Sequence, residues 1–251
     1  MSSRQGSPSP EPITLREERL SLRSVRDRLN SLLALRLDLF RKRQVWLPTW
    51  RGWLCLLLGL SALAWTAVRR AHTFLAVTRP VPADVLVVEG WVSDSIVRAA
   101  ADEFRTNYYR YVVATGCPIP KGHILYGDRT YASVAAKSLV KLGIPPSQVI
   151  EAPPKETFRH RTLEAARAAK RKLDGLGIRP LGINVTTCGP HARRTWITYR
   201  RVFGPQVPVG VIARPSEEFD PDRWWASSEG MKETLTEGFG WFYEALFAPA
   251  P

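Results

Sequence analysis

At 251 residues and 45% hydrophobic composition, the chain is long enough to bury a sizeable core and too apolar to be a disordered polypeptide. Its formal charge of +13 raises nucleic acid as a partner, yet residues 1–51 carry 11 Lys/Arg against 5 Asp/Glu, residues 52–82 carry 3 against none, and residues 83–251 carry 22 against 18. The long C-terminal stretch is therefore only mildly basic. It holds no zinc-finger, helix-turn-helix or base-stacking signature, so no nucleic-acid partner is expected.

Residues 1–12, rich in Ser, Pro and Gly, read as a disordered tail. Residues 13–44 read as an amphipathic basic helix, with Leu15, Leu22 and Leu29 interleaved with Val25, Leu32 and Leu39 at seven-residue spacing. That seam either pairs two chains, giving a homo-oligomer through the N-terminal helix, or lies on anionic headgroups. Glu18 and Arg36 interrupt it at both ends, which favours the headgroups.

An anchor region follows at 46–72. Residues 52–68 form a charge-free apolar run of 17, at the short limit for crossing about 30 Å of hydrocarbon. Trp46, Trp50, Trp53 and Trp65 stand where interfacial aromatics belong, and Arg69 and Arg70 close the run. Some fifty polar residues precede it and no small-x-small cleavage site follows, which argues for an uncleaved single-pass anchor in the lipid bilayer. Five Lys/Arg lie within 20 residues upstream (Arg36, Arg41, Lys42, Arg43, Arg51) and three downstream (Arg69, Arg70, Arg79). The asymmetry places the N-terminus in the cytoplasm and the main domain outside.

From residue 83 the pattern alternates. Apolar runs at 85–88, 111–114, 148–152, 182–186 and 207–212 predict buried strands, separated by helical stretches at 94–106, 130–142, 158–173 and 191–203. Such alternation predicts an α/β fold: a Rossmann-like three-layer domain over 83–213, with a mainly parallel five-stranded sheet and the first strand central. Ligands then bind beyond the carboxyl ends of the strands, which selects the loops bearing Glu89 and Gly90, Thr115 and Gly116, and Thr187, Gly189 and His191.

The last of these loops is the most informative. Residues 186–194, TTCGPHARR, pass from an apolar strand into a helix and bring His191, Arg193 and Arg194 to its N-terminus, where unpaired N–H groups already favour an anion. Arg194 can present two donors to one oxyanion, and His191 can donate to it or shuttle a proton. The plain alternative is a helix start with Pro190 in its first turn and solvated basic side chains. Neighbouring helical residues point about 100° apart, so Arg193 is not expected to share a ligand with Arg194. Glu89 is a candidate base or a salt-bridge partner for one of these arginines. Thr157, Arg161, Thr162 and Glu164 belong to the start of the third helix, as ligand contacts or as caps and solvated charges. Trp91 is either a lid or packing.

The three cysteines lack metal or disulfide spacing, so Cys117 and Cys188 are expected to be free thiols. No Gly-x-Gly-x-x-Gly, P-loop, His-Glu-x-x-His or Gly-x-Ser-x-Gly motif occurs, which removes ordinary dehydrogenases, kinases, zinc proteases and serine hydrolases. These motifs leave the cofactor unknown.

Several of these elements, taken together, carry a resemblance. Ala83-Asp84 before the first strand, Gly90 at its end, Thr115-Gly116, Leu142-Gly143-Ile144-Pro145, Thr162-x-Glu164 and Thr187-x-x-x-His191-x-x-Arg194 resemble the domain-of-unknown-function family that includes the bacterial envelope proteins YdcF, SanA and ElyC. The resemblance implies a Rossmann-like domain anchored in the bacterial inner membrane and facing the periplasm. It also implies a role in cell-envelope metabolism, with a phosphorylated or nucleotide-like ligand, such as a lipid-linked precursor, among its partners; whether the domain is an enzyme or a non-catalytic scaffold stays open. The chain departs from the family at Cys117, where a second glycine is usual, at Ala165, where an asparagine is usual, and at residues 131–133, where an acid is frequent. The first two loops, the start of the third helix at Thr162, and the Thr187-to-Arg194 corner make up the expected site.

The segment 214–251 opens on an acid- and aromatic-rich turn, FDPDRWW at 219–225, and continues into a helix near 229–247. Met231, Leu235, Phe239, Phe242 and Leu246 share one side. This stripe is expected to dock on the sheet, or else to touch the membrane surface or a lipid-linked ligand.

Overall fold

The computed structural model describes residues 46–120, 127, 129–155 and 159–247. The expected tail, the amphipathic basic helix and the Thr157 cap lie outside the described residues.

Helix α1 (Trp50–Leu75) runs for 26 residues and is long and apolar enough to cross a membrane. At 1.5 Å per residue it measures about 39 Å, so crossing about 30 Å of hydrocarbon leaves a turn or more to spare. The helix continues past Arg69 and Arg70, and its last turn ends in the buried side chains of His72 and Leu75.

The α/β domain follows: β1 (Val85–Glu89), α2 (Asp94–Thr106), β2 (Tyr111–Thr115), α3 (Tyr131–Lys141), β3 (Val149–Ala152), α4 (Arg161–Gly175), β4 (Ile183–Cys188), α5 (Ala192–Phe203) and β5 (Val209–Arg214), then α6 (Ser228–Phe247). The five strands are parallel in the order β3-β2-β1-β4-β5, with β1 central as the sequence predicts. Every residue of β1 is buried. Leu86 and Val88 pack with Ile96, Phe104 and Leu139 on the face covered by α2 and α3, whereas Val85 and Val87 pack with Leu163, Leu173 and Phe203 on the face covered by α4 and α5. A strand buried on both faces has no polar side to show, which is why β1 reads as an unbroken valine-rich run. The chain leaves β1 for β2 on one side and reaches β4 on the other, so the switch point opens a crevice between the ends of β1 and β4.

Helix α6 departs from the sequence expectation. Its apolar stripe does not dock on the sheet: Met231, Leu235, Phe239, Phe242 and Leu246 are between 45% and 75% exposed. The helix packs instead along α5 through its opposite side, where Gly230, Thr234 and Glu244 are its buried residues. Hydrophobic periodicity locates a stripe without saying whether protein or something else covers it.

Candidate functional site

Three chain segments converge at the carboxyl end of the sheet. β1 ends in Glu89, only 2% exposed. Its carboxylate accepts hydrogen bonds from the Thr187 and Thr195 hydroxyls and lies 3.6 Å from His191 Nε2. No arginine pairs with it among the described ion pairs; threonines from β4 and α5 meet its demand instead. Gly90 follows because a Cβ there would meet the Tyr131 carbonyl oxygen at 2.3 Å and the Thr115 oxygen at 2.9 Å, so only glycine lets the start of α3 close over the strand ends.

β4 passes into α5 through a tight turn over Gly189–His191, with Gly189 in the left-handed region at φ 38°. The turn tucks His191 inward, at 6% exposure, against the edge of the Trp91 indole, 4.9 Å between ring centres. One residue pair later the helix sorts its arginines. Arg193 turns toward α1, donating to the Phe74 carbonyl and lying 3.8 Å over the Phe74 ring. Arg194 turns toward the crevice, as the 100° step between neighbours requires.

The partner of Arg194 comes from α6. Arg194 Nε donates to Glu237 Oε2 at 2.8 Å and Nη2 donates to Oε1 at 2.9 Å, a two-point fork, while Nη1 reaches the Thr162 hydroxyl at 3.3 Å. His191 Nδ1 lies 3.0 Å from Glu237 Oε1, and Nε2 lies 3.4 Å from the Thr162 Oγ1. Burial alone would raise the Glu237 pKa, but the hydrogen bonds and charges of His191 and Arg194 bring it down to about 2. The same carboxylate raises the Arg194 pKa against the desolvation that opposes it. Glu237 is thus an ionised carboxylate held tightly by Arg194 and His191.

Above this cluster opens a cavity of about 470 Å³. Of the expected site residues, Thr115, Gly116, Thr162, His191 and Arg194 line it. Glu89, Gly90, Thr187 and Gly189 do not; Glu89 and Thr187 bond to each other, Gly90 lies against the Tyr131 and Thr115 backbone, and Gly189 faces His72 and Glu233. Trp91, Cys117, Tyr131, Arg161, Glu237 and Tyr243 are also in the wall, and of these Trp91, Cys117 and Arg161 stand out in the sequence. His160, at the rim, is the one non-glycine residue with positive φ among those described, at 51°, and its ring stacks at 6.5 Å on Tyr243. A left-handed histidine at the mouth of a cavity marks backbone held against its preference. Glu164 turns aside to pair with Arg167 at 2.7 Å.

The crevice also meets α1. A Cβ on Gly189 would lie 3.9 Å from His72 Nε2, and one on Gly238 would lie 3.8 Å from Leu75. Trp224 donates to the Val68 carbonyl at 3.1 Å, and Arg69 lies between the Trp65 and Trp225 rings at 5.7 and 5.5 Å. His72 is only two residues beyond Arg70, about 3 Å of helix rise. The crevice loop therefore sits within a helical turn of the arginines that end the apolar run.

Cys117 and Cys188 are free, and burial, then the Glu233 charge, pushes the Cys188 thiol up to about 12, so it is no nucleophile at neutral pH. No cluster of three or more His, Cys, Asp or Glu suited to a metal ion occurs among the described residues. No protein-family model matches the chain, and no curated protein matches it.

Proposed function

We propose that this chain is a membrane-anchored ligand-binding protein whose crevice takes a phosphorylated or nucleotide-like molecule, with a lipid-linked envelope precursor as one form of it. One observation carries the reading: the Arg194 fork and His191 already hold an oxyanion, the Glu237 carboxylate, beside an open cavity. A group that receives two coplanar carboxylate oxygens also receives two phosphate oxygens. Trp91, Tyr131 and Tyr243 supply apolar and stacking surface for the rest of the ligand, and Arg161 stands exposed at the rim. The closeness of the crevice loop to the end of the apolar run supports a ligand presented at the membrane surface. The resemblance to the YdcF, SanA and ElyC family and the basic asymmetry around α1 support an inner-membrane protein with its domain on the outer face.

The test is a thermal-shift screen of the full chain in detergent micelles against inorganic phosphate, pyrophosphate, nucleoside mono- and diphosphates and a long-chain alkyl phosphate. A ligand of the folded state raises the transition by mass action. A rise that disappears in Thr162→Val supports the crevice; no rise with any of these compounds rejects the reading.

A second reading, a non-catalytic anchored scaffold that self-associates through its N-terminal segment, draws on one fact: Arg194, His191 and Glu237 satisfy one another internally. It predicts an unresponsive crevice and a concentration-dependent oligomer that is lost when residues 1–45 are deleted.

A further inference from the structure

We propose that Glu237 occupies the seat of the ligand's own anionic group, and that ligand entry expels this carboxylate and lifts the C-terminal half of α6. The inference rests on the ligand-site reading above and specifies how that site is regulated.

Charge favours displacement. Around the single guanidinium of Arg194 stand two carboxylates, Glu237 in direct contact and Glu89 behind His191. A phosphate group entering beside both would set its negative charge against two carboxylates at close range, Glu237 and Glu89. Taking the place of Glu237 instead gives the phosphate the fork at Nε and Nη2 together with His191, and removes one of the two carboxylates from its side. The chemical class admitted is an oxyanion with at least two free oxygens on one centre.

α6 is also held in a way that allows it to leave. Its apolar stripe faces outward and its fully buried positions are Gly230, Thr234 and Glu244, while its second half keeps ring contacts of Trp241 with Phe74 at 5.0 Å and of Tyr243 with His160 at 6.5 Å. Two ion pairs pin its second half, Glu237 to Arg194 and Glu244 to Arg201, the latter at 2.8 Å. Gly238 and Gly240 follow the first pin; a Cβ at Gly240 would meet Arg194 Nε at 3.1 Å, so glycine both permits the close seat and weakens the helix there. The N-terminal approach to α6 stays tied to α1 through Trp224 and Trp225. Breaking the first ion pair thus leaves the segment after Gly238 held by Arg201 and by the Phe74 and His160 rings while its root stays in place, which lowers the cost of opening that segment locally.

The experiment uses the full chain in micelles with inorganic pyrophosphate as the probe. Glu237→Gln removes the competing charge at nearly constant shape and is expected to bind pyrophosphate at least tenfold more tightly than the wild type. Independently of any variant, saturating the wild type with pyrophosphate is expected to speed hydrogen exchange in residues 238–247 while the strands become more protected. Equal or weaker binding by Glu237→Gln, or slower exchange in 238–247 on binding, would show that Glu237 contacts the ligand or merely clamps α6, and would overturn the proposal alone. Failure of pyrophosphate to bind either form at any concentration tested overturns the proposal and the anion-seat reading beneath it together.

Discussion

The guanidinium of Arg194 and the carboxylate of Glu237, 43 positions apart in sequence, meet through two hydrogen bonds of 2.8 and 2.9 Å. The pair joins α5 to α6 and sits at the base of the cavity, so Arg194 is structural as well as a candidate ligand contact. From the sequence alone, a free Arg194 at a helix start would be replaceable with little loss of stability. Its side chain is 25% exposed and that of Glu237 13%, which makes removal costly, because Arg194→Ala strands a largely buried carboxylate. The expected loss is on the order of 3 kcal/mol, or roughly 6–12 °C in Tm for a domain of this size. The double variant Arg194→Ala/Glu237→Ala should lose clearly less than the sum of the single losses, because each single variant leaves the other charge unpaired. Strict additivity in thermal melts would mean that the two residues do not interact in solution.

Acid should undo the same contact. The Glu237 pKa is about 2 in the folded protein, against an ordinary 4.5 when unfolded. A depressed carboxylate contributes stability that is full above the unfolded value and is lost as pH falls from 4.5 toward 2. Chemical denaturation of the wild type between pH 6 and 3 should show this loss, and Glu237→Gln, less stable at pH 6, should show a flatter profile. Parallel profiles for the two proteins would contradict the assignment.

The strands were legible because their signal is local. β1, β2 and α2 fall at the expected positions to within a residue, since a buried parallel strand must be apolar throughout and its helix must show a 3.6-residue stripe. The crevice was legible by topology, given that β1 is central. Glu237 was not. Nothing near residue 237 announces an arginine on another helix, and the apolar stripe beside it draws attention to the opposite face of α6. A signal was nonetheless present: Glu233, Glu237, Gly240 and Glu244 recur at helical spacing, and acids on one side of a helix rich in aromatics call for basic partners. The destination of the stripe was unreadable for a different reason, because apolar periodicity predicts burial only where something is available to bury against.

Topology is open to direct measurement. The apolar length of α1 and the five-to-three basic asymmetry lead us to expect residues 80–251 on the outer face of the membrane. An export-dependent enzyme reporter fused after Pro251 should be active, and a fluorescent reporter that matures only in the cytoplasm should stay dark. The reverse pair of outcomes would place the crevice inside the cell.

Glu233, one helical turn before Glu237, behaves in the opposite sense. Burial, followed by the neighbouring charges of Glu218 and Glu237, raises its pKa to about 7. Its Oε1 lies 3.9 Å from the Cys188 sulfur, too weak a contact to compensate an ionised carboxylate. For an acid whose folded pKa exceeds the unfolded value of 4.5, the folded state binds the extra proton, so stability falls as pH rises from 4.5 through about 7. Glu233→Gln removes that titration while keeping the shape. The variant should melt at the wild-type temperature near pH 4.5 and above it at pH 8, with the gap opening between these values. A gap of constant size across the range would assign the effect to packing, and a lower Tm for Glu233→Gln at pH 8 would show that the ionised carboxylate has a partner there.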